Sequence, residues 1–248
     1  MKPTALFLFN SSEYAPAPWL NSGMFHCVSV DYDHTDHSGD HRVVTTHENH
    51  FRVSLDLMAD YPVARVLEAI DNLGLASPSF VFSFAPCTDL AVSGAAHFKR
   101  KLERDPQCQY KATSAAVMAE GFNCPYMVEN PVSVLSTLWR KPNFTFNPCD
   151  YAGYCPTGEH PEFPEVIPEQ DRYNKKTCIW SGNGAVEPAK DGMSPLLEVN
   201  PGHQKLGGKS ARTKYIRSLT PRGFSEAVFV YNCTPALIHF ATTIKRVA

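Results

Sequence analysis

Phe80-Val-Phe-Ser-Phe-Ala-Pro-Cys87-Thr-Asp-Leu90 is an apolar run that stops at a Pro-Cys pair, and Tyr126-Met-Val-Glu129-Asn130-Pro131 repeats that build downstream. Each half reads as a buried strand that delivers a reactive side chain at its carboxyl end, the place where open α/β sheets put their ligands. A thiol and a carboxylate presented from neighbouring strand ends can do covalent chemistry on an electron-poor ring.

Working outward from these two strands, Thr4-Ala-Leu-Phe-Leu-Phe9 and Met24-Phe-His-Cys-Val-Ser-Val-Asp31 read as two more, with a short helix at 17–22 between them. That is a strand, crossover, strand unit. Val63, Val66, Leu67, Ile70 and Leu73 recur at helical spacing and stop at Gly74, which predicts a helix. The His-rich stretch 34–50 reads as loop, 88–111 as a polar segment, 112–120 as a small-residue helix and 140–174 as irregular and proline-rich. A last strand is expected at Thr177-Cys-Ile-Trp180, with closing helices at about 221–231 and 235–246. Strands alternating with helices predict a mostly parallel sheet covered on both faces.

The 248 residues are 43% hydrophobic and 19% charged, enough for one substantial core with a small appendage. With a formal net charge of −2, any contact with nucleic acid must run through a local basic patch. Lys99-Arg100-Lys101, Arg104, Lys175-Lys176 and the region from Lys205 to Arg222 can supply one, or can be ordinary solvated faces. No run approaches the roughly 20 apolar residues of a membrane span. The start lacks the pattern of a secretory leader, and eight cysteines without one point to reduced thiols in a cytoplasm.

The order of these signals resembles the cytosine-C5 DNA methyltransferases, most closely their short, phage-type members. The family ends one strand in Pro-Cys, as at Pro86-Cys87, and the next in Glu-Asn, as at Glu129-Asn130. Arg217-Ser-Leu-Thr-Pro-Arg222-Gly-Phe224 is similar to its Arg-x-Leu-Thr-Pro-Arg segment, and Tyr231-Asn232-Cys-Thr-Pro235 to its Gly-Asn-x-Val-Pro segment.

The resemblance implies a Rossmann-like S-adenosylmethionine-dependent methyltransferase fold, located in the cytoplasm of a bacterium or phage-infected host. It implies a catalytic core over 1–180, a small insertion at 181–213 in place of a target-recognition domain, and C-terminal helices over 214–248 that complete the core and cofactor pocket. Cys87 would be the thiolate that adds to C6 of cytosine, with Glu129 holding the base and Asn130 beside it. S-adenosylmethionine would lie against Phe9, Asn10, Ser11, Glu13, Asp31, Tyr32, Asp56 and Asn232, with Asp31 on the ribose hydroxyls. Pro86, Ser93, Lys175, Lys176 and Thr177 fall on the substrate side. The partner would be DNA with the cytosine flipped out of the stack.

Three positions depart from the family pattern. The loop after strand one is Phe9-Asn-Ser-Ser-Glu-Tyr-Ala15, without the family's glycines; Lys175-Lys176-Thr177 replaces an arginine-rich segment; Tyr231 stands where glycine precedes the asparagine. Two alternatives therefore stay open: a cytosine-nucleotide C5 modifier with another one-carbon donor, and a methyltransferase-like binding protein that has lost cofactor use. The tract His34, His37, His41, His47 and His50 with Asp33, Asp36 and Asp40 matches no zinc spacing and reads as solvated loop. Cys149, Cys155 and Cys178 read as loop or core thiols.

Overall fold

A computed structural model describes residues 1–32, 42–207 and 210–233. In chain order the strands are β1 (Thr4–Leu8), β2 (His26–Asp31), β3 (Arg42–His47), β4 (His50–Ser54), β5 (Pro78–Ser83), β6 (Tyr126–Pro131), β7 (Phe144–Phe146) and β8 (Thr177–Gly182). The helices are α1 (Ala17–Ser22), α2 (Pro62–Asn72), α3 (Phe98–Arg104), α4 (Cys108–Val117), α5 (Leu135–Leu138), α6 (Pro201–Gln204), α7 (Ala211–Ser218) and α8 (Arg222–Asn232).

The strands form one sheet in the order β3-β4-β2-β1-β5-β6-β8-β7. From β4 through β2, β1 and β5 to β6 every pairing is parallel, while β3 against β4 and β8 against β6 are antiparallel. This is a mixed α/β, Rossmann-like sheet. Its switch point is β1, whose neighbours β2 and β5 lead the chain away in opposite directions.

The continuous apolar runs arise because both faces are covered. Leu6, Leu8, Val28, Val30, Val81 and Val128 pack with Val66 and Ile70 of α2 and Ala112 and Ala116 of α4. Residues one step out of phase point the other way. There Phe7 and Phe80 meet the buried Trp19 of α1, at ring-centroid distances of 5.1 and 5.9 Å. Helix α2 begins with Pro62 and ends at Gly74 in the left-handed region (φ 67°). Gly74 N–H donates to the Asp71 carbonyl and Leu75 N–H to that of Ile70, a Schellman closure.

Several elements differ from the sequence expectation. The described part of 34–50 contains β3 and the first residue of β4, because pairing of β4 with β2 and of β3 with β4, rather than the segment's own apolarity, makes them strands. The polar segment 88–111 holds α3 and the start of α4, and the irregular stretch 140–174 holds β7. The last strand runs on to Gly182, antiparallel to β6. The expected helix at 235–246 and His34, His37, His41, Asp33, Asp36 and Asp40 lie outside the described residues.

The chain divides into two compact units: 1–11, 19–145 and 177–185 form the first, and 12–18, 146–176 and 186–248 the second. Residues 146–176 thus group with the C-terminal segment. In this second unit the Thr220-Pro-Arg-Gly-Phe224 motif has a structural basis. Arg222 forks onto the buried Asp171, with Nη2 at 2.9 and Nε at 3.1 Å from Oδ1, while its backbone N–H donates to Oδ2 at 2.6 Å. A Cβ on Gly223 would stand 2.2 Å from the Tyr151 carbonyl oxygen, so only glycine fits. Phe224 stacks on Phe146 at 3.9 Å.

Candidate functional site

Parallel pairing puts the carboxyl ends of β4, β2, β1, β5 and β6 on one edge of the sheet, and a cleft of about 310 Å³ opens there. It is lined by Phe9 after β1, Asp31 at the end of β2 and Tyr32 after it, Asp56, Leu57 and Met58 after β4, and Pro86 after β5. The volume is at the small end of the roughly 300–1,000 Å³ typical of ligand pockets. An aromatic and thioether lining with two carboxylates suits a flat polar heterocycle that carries hydroxyl groups. Asp31 Oδ1 accepts the Tyr32 backbone N–H at 2.8 Å, and Asp56 Oδ1 accepts that of Met58 at 2.8 Å, so both carboxylates sit in fixed local turns.

The glycine-free loop after β1 still makes its turn. Phe9 adopts the left-handed region itself (φ 55°), at a cost of about 1–2 kcal/mol for a residue with a Cβ. Its ring packs against the sheet core, which offsets that cost. Asn10 is buried and turns inward: its Nδ2 donates to Ser29 Oγ at 3.1 Å, which lies 2.9 Å from Nε2 of the buried His50. Ser11 is exposed. Thus Phe9, Asp31, Tyr32 and Asp56 share one cleft, whereas Asn10 supports its wall.

Cys87 follows the cleft residue Pro86 directly and is half-buried. The turn that carries it is held on every side. Asn130, fully buried at the end of β6, donates from Nδ2 to the Ala85 carbonyl at 2.9 Å, just before Pro86. The Cys87 carbonyl accepts from Leu90 and Ala91 N–H at 3.0 and 2.8 Å. The carbonyls of Thr88, Asp89 and Leu90 accept from Lys101 Nζ, Gln109 Nε2 and Val134 N–H in turn. Val92 N–H closes onto the Val132 carbonyl, so the turn after β5 and the segment after β6 run side by side.

Glu129 is half-buried on β6, opposite Ile179 of β8. The buried Thr177 stands opposite Pro131 on the same strand pair. Ser93 is exposed on a 3₁₀ turn (Val92–His97). The remaining expected residues belong to the second unit. There Glu13 and Lys176 are exposed, Lys175 Nζ donates to the Arg217 carbonyl at 3.1 Å, and Asn232 exchanges hydrogen bonds with the Val186 backbone.

Sequence reasoning missed Leu57, Met58 and Gln109, and named Lys101 only within a basic patch. The signal for the first two was the strand β4, hidden in polar sequence. The reach of Lys101 and Gln109 to the turn after β5 gave none, since 88–111 reads only as a polar segment. Among the described residues no three His, Cys, Asp or Glu side chains group as metal ligands. Cys149 donates to Asn174 Oδ1 at 3.2 Å, and burial pushes the Cys155 thiol up to about 12. Both are protonated thiols built into the second unit.

Fold and site together define an open α/β protein with a cleft at its topological switch point, whose lining residue Pro86 is followed directly in the chain by Cys87. No family model and no curated protein matches the sequence. Among solved structures, two double mutants of a Serratia marcescens short-chain dehydrogenase/reductase align with it at a TM-score of 0.27 and 14% identity. The alignments cover 47% of this chain and 51% and 52% of theirs, so the chain matches about half the length of these neighbours.

Proposed function

We propose that this protein transfers a methyl group from S-adenosylmethionine to C5 of cytosine in DNA through a covalent adduct on Cys87. The observation that carries this reading is the adjacency of cleft and thiol: Pro86 lines the cleft and Cys87 is the next residue. A donor seated against Phe9, Asp31, Tyr32 and Asp56 and a base attacked by Cys87 would therefore meet at one point. The antiparallel β8 beside β6 also sets the sheet apart from the dinucleotide-binding order, in which six strands run parallel.

The residues present suit this cofactor: the apolar and aromatic side chains can sandwich an adenine, and Asp31 at the end of β2 would take the ribose hydroxyls. Bound there, the cofactor supplies an electrophilic methyl group. The Cys87 thiolate would add to C6 of the flipped cytosine, which makes C5 a nucleophile able to take the methyl as the donor's sulfur–methyl bond breaks and its sulfonium leaves as a neutral thioether. Glu129 holds N3 and the exocyclic amine. Loss of the C5 proton then expels Cys87 as thiolate and restores the ring. Next to this turn, α3 exposes Lys99, Arg100 and Arg104, a patch suited to phosphates of the flanking strand.

The test is an oligonucleotide carrying 5-fluorocytosine, whose C5 has no proton to lose. With S-adenosylmethionine present, the wild type should form a denaturation-resistant adduct and Cys87→Ser none, because a hydroxyl is a far weaker nucleophile. Equal adduct in both proteins, or none with the wild type, would overturn the proposal.

A further inference from the structure

We propose that Lys101 is a positioning residue for Cys87: from α3 it holds the turn that presents the thiol and pairs the carboxylate two residues beyond it. The inference rests on reading Cys87 as the nucleophile. Lys101 Nζ lies 3.0 Å from Asp89 Oδ1 and also donates to the Thr88 carbonyl, so one ammonium group grips two successive residues of the turn. Gln109 of α4 takes the Asp89 carbonyl at 3.2 Å. Four carbonyls in a row, from Cys87 to Leu90, are thereby occupied, two of them by side chains from α3 and α4.

A partly exposed ion pair contributes little to global stability. Its consequence here is local. The charged groups on elements packed around the turn are Asp89 on the turn itself, Lys99, Arg100, Lys101, Glu103 and Arg104 on α3, Lys111 on α4, which pairs with Asp105, and Glu129 on β6; of these, Lys101 is the cation at 3.0 Å from Asp89, and the contact from α4 to the turn is the neutral Gln109 amide. Without Lys101 the Asp89 carboxylate stands unpaired two residues from Cys87, and a like charge nearby disfavours the thiolate. Lysine at this site therefore keeps the turn in shape and the anion accessible.

Alkylation by iodoacetamide at neutral pH, followed by peptide mass spectrometry on the full chain, reads this directly and needs no methyl transfer. Cys87 and Cys108 are the half-exposed thiols, the other six being buried, so Cys108 beside α3 reports any local loosening. Lys101→Met should slow Cys87 alkylation about tenfold and leave Cys108 unchanged. Lys101→Arg should stay within about twofold of wild type, and adding Asp89→Asn to Lys101→Met should restore most of the rate. Asp89→Asn alone should react at the wild-type rate or faster, a check that stands even if Lys101→Met folds poorly. Wild-type reactivity in Lys101→Met, or slowed reactivity in Asp89→Asn, would overturn the inference. A wild type that makes no 5-fluorocytosine adduct, with Lys101→Met still slow to alkylate, would sink the methyl-transfer reading and leave this one standing.

Discussion

Asn130→Ala separates the positioning of Cys87 from the stability of the fold. The Asn130 side chain is fully buried and its Nδ2 donates to the Ala85 carbonyl at 2.9 Å, so truncation leaves a buried carbonyl without that donor. Such losses cost about 1–3 kcal/mol, and a central value of about 2 kcal/mol shifts the unfolding equilibrium roughly 30-fold. Domains are stable by about 5–15 kcal/mol, so more than about 99% of the variant stays folded even at the low end of that range. Any large loss of Cys87 reactivity must then come from the turn moving. Displacement of a reacting group by about 1 Å costs on the order of a hundredfold, so adduct formation with 5-fluorocytosine DNA should fall about ten- to a hundredfold. Denaturant titration gives the first quantity and quenched adduct kinetics the second. A variant that loses the expected stability yet forms adduct at the wild-type rate would refute the view that Asn130 holds the Cys87 turn. One that loses neither would show that the hydrogen bond carries nothing.

Two further outcomes follow from the cleft and from α8. Asp31→Ala should weaken S-adenosylmethionine binding by about 1–3 kcal/mol, roughly 5- to 150-fold, since hydrogen bonds to a charged group are lost; calorimetry showing unchanged affinity would place the cofactor elsewhere. Burial alone raises the Glu226 carboxyl above its usual range, so the folded state holds this proton more tightly than the unfolded chain. Stability therefore declines as pH rises from the ordinary carboxylate value through the raised one, and the penalty is complete above it. Glu226→Gln should stabilise the protein at neutral pH, with the gain shrinking on acidification; a gain that grows in acid would contradict the sign.

Much of the central sheet was legible in the sequence because β1, β5 and β6 are buried on both faces and so read as unbroken apolar runs. Helix α2 was equally plain, with Val66, Ala69 and Ile70 on one face and Gly74 at its end. That Pro86-Cys87 and Glu129-Asn130 fall at or just after strand ends followed from the same runs, since they stand where the apolar pattern stops. Phe9, Asp31, Tyr32 and Asp56 were named from a resemblance, and their meeting in one cleft needed the parallel pairing of β4, β2, β1 and β5.

What tertiary structure alone decided concerns partners and direction. Strand β4 lies in polar, His-rich sequence and exists because β2 pairs with it and Ser29 meets His50. The antiparallel course of β8 left no trace, since an apolar alternation reads the same in either direction. Phe9 takes a left-handed turn where glycine is expected, because packing of its ring outweighs a local strain of about 1–2 kcal/mol. Lys101 read as part of a basic patch, with nothing to mark its contact to the turn after β5. Hydrophobic periodicity reports which face of a segment is buried, whereas register, strand direction and the reach of one helix's side chain to another element's turn are set by contacts between residues far apart in the chain.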